Sequence, residues 1–394
     1  MRILIINTDY PRFLRWLYAH NLGLERATYA QQMAARNGSL FGVADFYSMN
    51  FAAHGHPAAE LHVNNPWLQK AWAREQGMPA SEGPVVVAPD LSALSERLRS
   101  YVKPLKPFLR PLARRLGASP NLDREAQEIL LAQIEDFRPD LILNQDVFSV
   151  DTMLAKRMKS IGRPMLVGQV GLLPPIGQDW SVYDLVISIL PGVVKRFEKL
   201  RIRAEVCHLA FEPRILSILP SRPDTNVDIS FVGTLSGEHR ERIALLEAVA
   251  RRYSLKIWGP GLSSVAAASP LHACWQGEVW GADMYQILRR SRITLNSHID
   301  LAAKEAANMR LFEATGVGAM LLTDYKDNLH ELFTPEVHVA TWRSIEECLT
   351  KIEFYLKNDF RRDEIACAGQ THTITHHNYR LRTKQLIDFV ERSS

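Results

Sequence analysis

The chain has 394 residues, 46% hydrophobic and 23% charged, enough for two domains with their own cores and too apolar for a disordered protein. Its 47 basic residues are nearly balanced by 43 acidic ones, and a net charge of +4 gives no case for a nucleic-acid partner. No run approaches the ~18 apolar residues of a membrane span, Met1 to Asn7 is too short for a signal peptide, and the 4 cysteines have no disulfide or zinc spacing.

A reducing cytoplasm is therefore the expected home. Ile3 to Ile6 reads as a buried strand, and Asn7-Thr8-Asp9-Tyr10-Pro11 as the polar turn at its carboxyl end. Asp9 is either an Asx turn before Pro11, the preferred reading, or a base or substrate anchor. Residues 24–37 are rich in helix formers and stop at Asn37-Gly38. The stretch 41–50, which carries Asp45, leads into a helix ending at His54-Gly55. A strand over Ala59 to Val63 follows, then a helix from Asn64-Asn65-Pro66 to Gln76-Gly77. His54 and His56 have no further ligand nearby and read as helix-end histidines rather than a metal pair. Residues 97–116, RLRSYVKPLKPFLRPLARRL, are basic with interleaved apolar residues, and their prolines forbid one continuous helix. They read as an exposed insertion or as a surface that rests on an anionic membrane. Strands are expected over Leu141 to Leu143, Met165 to Gly168 and Asp184 to Ile189, with Asn144-Gln145-Asp146 at the end of the first. This alternation with helices predicts a parallel, doubly wound sheet.

Residues 217–226, SILPSRPDTN, are the best linker candidate. A strand at Asp228 to Val232 then runs into Gly233-Thr234 and a helix carrying His239, Arg240 and Arg242. Glycine lets backbone approach a ligand closely, and arginine binds phosphate through two parallel hydrogen bonds. Leu255 to Trp258 is the next strand, closed by Gly259-Pro260-Gly261, and Met284 to Arg290 is a helix. The chain then reaches its central unit: strand Ile293 to Leu295, polar stop Asn296-Ser297-His298, and a loop carrying Lys304 and Glu305. A helical pattern from Asn308 ends at Gly316 and Gly318, strand Ala319 to Thr323 follows, and Asp324 lies just beyond it. Ligands of open α/β sheets bind at the carboxyl edge, where a helix amino end favours phosphate. Glu305 and Glu313, with seven residues between them, suit hydrogen bonds from sugar hydroxyls, although two solvated glutamates are the bland alternative. Helices are expected over Ile345 to Leu356 and Tyr379 to Arg392. His372, His376 and His377 invite a metal, but no Asp-x-Asp motif accompanies them, and no metal is expected.

The run Asn308-Met309-Arg310-Leu311-Phe312-Glu313-Ala314, with Gly316, Gly318-Ala319 and Leu322-Thr323-Asp324, resembles the donor segment of group-one glycosyltransferases, and especially the spore-maturation CgeB-like branch. Gly233-Thr234, Gly259-Pro260-Gly261 and the stretch Val206 to Pro213 agree with that family in order and spacing. The resemblance implies a GT-B fold of two Rossmann-like domains. The expected bounds are 1–215 for the acceptor domain, 216–377 for the donor domain, and 378–394 for a helix crossing back. It implies a metal-independent, cofactor-free transferase acting in the cytoplasm or at the inner membrane face. Sugar would pass from a nucleoside-diphosphate sugar to a glycan, lipid-linked or small-molecule acceptor. Glu313 would bind the ribose and Glu305 the donor sugar. Asn308, Met309 and Arg310 would meet the diphosphate, with Gly233, Thr234 and Arg240 facing it, and Arg310 would neutralise the leaving group. Asp9, Asp45 and Asp146 are the base candidates of an inverting enzyme, whereas the glutamate pair tilts toward retention. A nucleotide-sugar epimerase and a non-catalytic subunit of polysaccharide assembly are the alternatives.

Overall fold

A computed structural model describes residues 1–79, 122–171, 178–220, 226–236, 239–298 and 305–392. The basic stretch 97–116, part of the expected linker, part of the loop after Gln169, and Lys304 fall outside these residues. The described residues divide into two units, one comprising 1–79, 122–208 and 383–392, the other 209–382.

The first unit holds six parallel strands, Ile3–Asn7 (β1), Ala58–His62 (β2), Leu141–Asn144 (β3), Met165–Val170 (β4), Leu185–Ser188 (β5) and Ala204–Val206 (β6). Their spatial order is β2-β1-β3-β4-β5-β6. Strands covered on both faces must be apolar throughout, and Ile3 to Ile6 are accordingly all buried. Helix starts follow local chemistry. Thr28 and Gln31 form a capping box that delays the expected helix to Tyr29–Gly38, leaving Leu24–Arg26 as a single 3₁₀ turn. Asn65, Asp123 and Asp151 each cap a helix by accepting a backbone N–H. Proline occupies the first helical position at Pro11, Pro66 and Pro191, where its missing N–H costs nothing.

The second unit is a five-stranded parallel sheet of Val227–Val232 (β7), Leu255–Trp258 (β8), Ser291–Asn296 (β9), Leu321–Asp324 (β10) and Ala340–Trp342 (β11), ordered β11-β10-β9-β7-β8. Three features differ from the sequence reading. The helix after Asn308 begins at Arg310 with Met309 as its N-cap, because the Asn308 carboxamide takes the Leu311 N–H (3.3 Å). Asp324 closes β10 rather than following it, since β11 pairs with it through Trp342. An 18-residue helix, Asp359–His376, was not expected. Its buried face is Arg362, Ile365, Ala366, Gly369 and Thr373, small and polar enough to mute hydrophobic periodicity. A Cβ at Gly369 would collide with the His338 carbonyl, so glycine there permits close packing.

Candidate functional site

Parallel pairing sets the site of the second unit. Asn296 pairs with Thr323 across β9 and β10, which brings the residues just past both strands to one edge. Asn296 Nδ2 donates to Thr323 Oγ1 (2.9 Å), and Asn308 Nδ2 donates to Asn296 Oδ1 (2.9 Å), fastening the start of the 308–316 segment to that edge. Thr323 Oγ1 donates to Asp324 Oδ1 (3.3 Å), which also accepts from the His298 backbone N–H (3.0 Å) and lies 2.7 Å from His298 Nδ1. Lys326 Nζ sits 3.2 Å from the other Asp324 oxygen. Burial alone pushes the Asp324 carboxyl up, but the His298 hydrogen bond and the His298 and Lys326 charges hold it below its ordinary value.

Glu313 is buried in the first turns of the helix Arg310–Gly316, and Arg310 Nη1 lies 2.9 Å from its Oε2. Burial raises the Glu313 carboxyl while Arg310 opposes the rise. Arg310 Nη1 also donates to Met284 Sδ (3.2 Å), and Arg310 Nε is buried with no hydrogen-bond partner among the described residues. Glu305 is half-buried. Next to it, the Ala306 N–H donates to Asn328 Oδ1 (2.6 Å).

Gly233 and Thr234 do stand at the end of β7, at the same carboxyl edge. The glycines of the neighbouring loop have a structural task. Gly259 (φ +136°) and Gly261 (φ +99°) lie so close to the backbone of Gly233 and Leu235 that a Cβ would overlap their carbonyls. Arg240 is exposed, whereas Arg242 is buried and clips two loops together by donating to Thr234 O (2.8 Å) and Ser297 O (2.7 Å).

In the first unit, Asp9 follows β1, and its carboxylate accepts from Arg36 Nη2 (2.6 Å) and Nε (3.2 Å) and lies 3.3 Å from His62 Nδ1. These contacts hold the Asp9 carboxyl far below its usual range although burial opposes them. Its backbone N–H goes to Asn64 Oδ1 (2.8 Å). Asp146 accepts backbone N–H groups from Phe148 and Ser149 (both 3.2 Å), and Asp45 stands half-buried at the start of helix Phe46–Ala53. Asp9 and Asp146 share the carboxyl edge of one sheet, where the Gln145 N–H donates to Ile6 O (2.9 Å). Asn144 and Gln145 bond Tyr183 and Gln169.

The histidines near the end of the chain also have protein partners. His372 Nε2 and His377 Nε2 each meet the Leu332 carbonyl at 2.8 Å, and among the described residues no cluster of metal-ligating side chains occurs. No described helix is long and apolar enough to cross a membrane.

Sequence reasoning passed over His298 as a site residue, and it read Arg242 as a phosphate ligand where the structure shows it bonded to two loop carbonyls. The available signal for His298 was a histidine two residues beyond a buried strand, with an aspartate ending the neighbouring one.

Residues 240–388 match the model of a glycosyl transferase-like family. Solved structures similar to the chain include a glycosyltransferase from Rickettsia africae ESF-5, at 11% identity and a TM-score of 0.56, covering 100% of this chain and 98% of that one. Anabaena Alr3699/HepE in complex with UDP and glucose is similar at 13% identity and a TM-score of 0.57, with 100% of both chains covered. Sucrose-phosphate synthase (tll1590) from Thermosynechococcus elongatus is similar at 11% identity and a TM-score of 0.55, covering 100% of this chain and 99% of that one. No curated protein sequence matches the chain. At these identities the likeness is one of fold: two parallel-sheet α/β units of the GT-B glycosyltransferase type.

Proposed function

We propose that the protein is a GT-B glycosyltransferase, allied to the CgeB-like branch, that moves a sugar from a nucleoside-diphosphate sugar to a hydroxyl acceptor without a metal. The observation that carries this reading is Glu313, a buried carboxylate inside the family-matched region and on the segment tied to the β9–β10 edge. A carboxylate in that position accepts hydrogen bonds from both ribose hydroxyls, and a dry site strengthens them. Glu305 takes hydroxyls of the donor sugar. Asn308, Met309, Gly233 and Thr234 line the diphosphate, and Arg240 adds long-range attraction from the surface. Arg310 retains donor capacity through its unpartnered Nε, which suits it to charge building on the departing diphosphate.

Retention is the favoured outcome. An inverting enzyme needs a base poised near working pH, yet Asp9 is held far below that range by Arg36 and His62, and Asp146 is spent on backbone N–H groups. Asp45 is the remaining candidate for inversion. In the retaining reaction the bond from the anomeric carbon to the diphosphate oxygen breaks and the bond to the acceptor oxygen forms on the same face. The acceptor proton passes to the departing phosphate. The interleaved basic and apolar residues of 97–116 support an acceptor presented at an anionic membrane face.

Calorimetry of the full chain against UDP-, GDP- and ADP-sugars tests the reading. One of these should bind, and Glu313→Ala should lower its affinity by about tenfold to a hundredfold, the worth of a charge-assisted hydrogen bond. Equal nucleotide affinity in the variant, or none in the wild type, would overturn it.

A further inference from the structure

We propose that His298 is a donor-site residue whose Nε2 bonds a phosphate oxygen of the nucleoside diphosphate, with Asp324 as the positioning residue that fixes the ring. This rests on the reading of the site as a nucleotide-sugar site and adds to it a residue outside the Asn308–Glu313 segment.

Four observations carry it. His298 is only 3% exposed, and its Nε2 is a buried polar atom with no hydrogen-bond partner among the described residues. Buried polar atoms are rarely left unbonded, so its retention calls for a use. The ring is also aimed by its surroundings. The Asp324 carboxylate, ionised, can only accept, so the proton between them resides on Nδ1, and Nε2 is the atom left for a ligand. Thirdly, one continuous path of hydrogen bonds runs from Asn308 through Asn296, Thr323 and Asp324 to His298. His298 thus belongs to the same edge as the donor segment. Finally, the charge balance favours an anion. Asp324 already faces Lys326, and Arg242 lies on the carbonyl of the neighbouring Ser297. With Lys326 and Arg242 near the one Asp324 carboxylate, a phosphate oxygen adds the negative charge that balances this edge.

In the complex the ring donates from Nδ1 to Asp324 and from Nε2 to the phosphate oxygen. Because Nε2 is enclosed, this bond forms with a local rearrangement at the sheet edge as the ligand enters.

The test uses the full chain and whichever of UDP, GDP or ADP binds most tightly by calorimetry, with His298→Ala, His298→Gln and Glu313→Ala compared at one pH. His298→Ala should lose about tenfold to a hundredfold in affinity near pH 6.5. Glutamine keeps a donor without a titrating ring, so His298→Gln should retain part of the affinity. His298→Gln carries the test if the alanine variant does not fold. Unchanged affinity in both His298 variants, with Glu313→Ala weakened, overturns this inference and spares the donor-site reading. An equal loss in His298→Gln and His298→Ala assigns His298 a purely structural role and also overturns it. If no nucleoside diphosphate binds the wild type, both fall.

Discussion

Each unit carries an aspartate, a histidine and a basic residue at the carboxyl edge of its sheet, and the two sets are built for different ends. In the first unit Arg36, 2% exposed, grips Asp9 with two hydrogen bonds, while the His62 ring stands off at 3.3 Å. In the second, the imidazole takes the close place, 2.7 Å from Asp324, and the cation is the more accessible Lys326, its side chain 15% exposed. A buried guanidinium cannot lose its proton, so the first set is a permanent ion pair. In the second set an imidazole makes the close contact and a lysine ammonium takes the guanidinium's place. The same kit thus gives a brace in one unit and part of the candidate site in the other.

Breaking the brace should have the largest effect. Arg36→Met leaves the Asp9 carboxylate buried and uncompensated, and urea unfolding should report a loss of about 3–5 kcal/mol. Adding Asp9→Asn in the same chain should recover part of that loss. If Arg36→Met costs no more than a surface substitution, the contrast between the two sets fails.

Glu60 sharpens the comparison. It shares the Arg36 neighbourhood, its Oε2 has no hydrogen-bond partner among the described residues, and burial, opposed by Arg36 and the Ser48 N–H, pushes its carboxyl up to about 8. The folded state therefore holds this proton more tightly than the unfolded chain. The resulting stability is fully present below the unfolded value near 4.5 and disappears as pH rises to about 8. Glu60→Gln should accordingly gain on the wild type across that window, by about 4–5 kcal/mol at its upper end, as read by urea unfolding at stepped pH. A difference that does not change with pH would show that Glu60 is already ionised in the fold.

The smallest effect belongs to Arg240. It is exposed, so Arg240→Ala should weaken nucleotide binding by no more than about threefold in low salt, and by less at high salt. A loss as large as that of Glu313→Ala would place Arg240 in direct contact with the diphosphate.

The architecture was largely readable from the sequence because parallel strands covered on both faces announce themselves as apolar runs. Ile3 to Ile6 and Leu321-Leu322 are of this kind. Segments whose burial relies on small or polar residues stayed silent, as in Asp359–His376 and the three-residue strands Ala204–Val206 and Ala340–Trp342. In the site, Asn308 and Glu313 could be found locally because they lie on one short segment. His298 and Asp324 are separated by 26 residues and meet only through the β9–β10 register, which no local pattern specifies. Arg36 is harder still. It sits in an ordinary helical run, and only the fold turns its guanidinium inward onto Asp9.

One small bridge has a bearing on synthesis. Phe211 donates its N–H to His377 O (2.8 Å) and accepts from the Tyr379 N–H (3.2 Å), and its ring covers Gly316 so closely that any Cβ there would strike it. The first residues of the second unit to leave the ribosome thus wait for nearly the last. Phe211 and Asn378, joined in that bridge, lie 378 − 211 = 167 positions apart. At about 5–20 residues per second, translation needs on the order of ten seconds or more to bring them together. Until then Phe211 lacks its closing strand contact, so a nascent chain stalled before His377 should be open to protease at its aromatic residues, and to chaperone capture, while the completed protein is not.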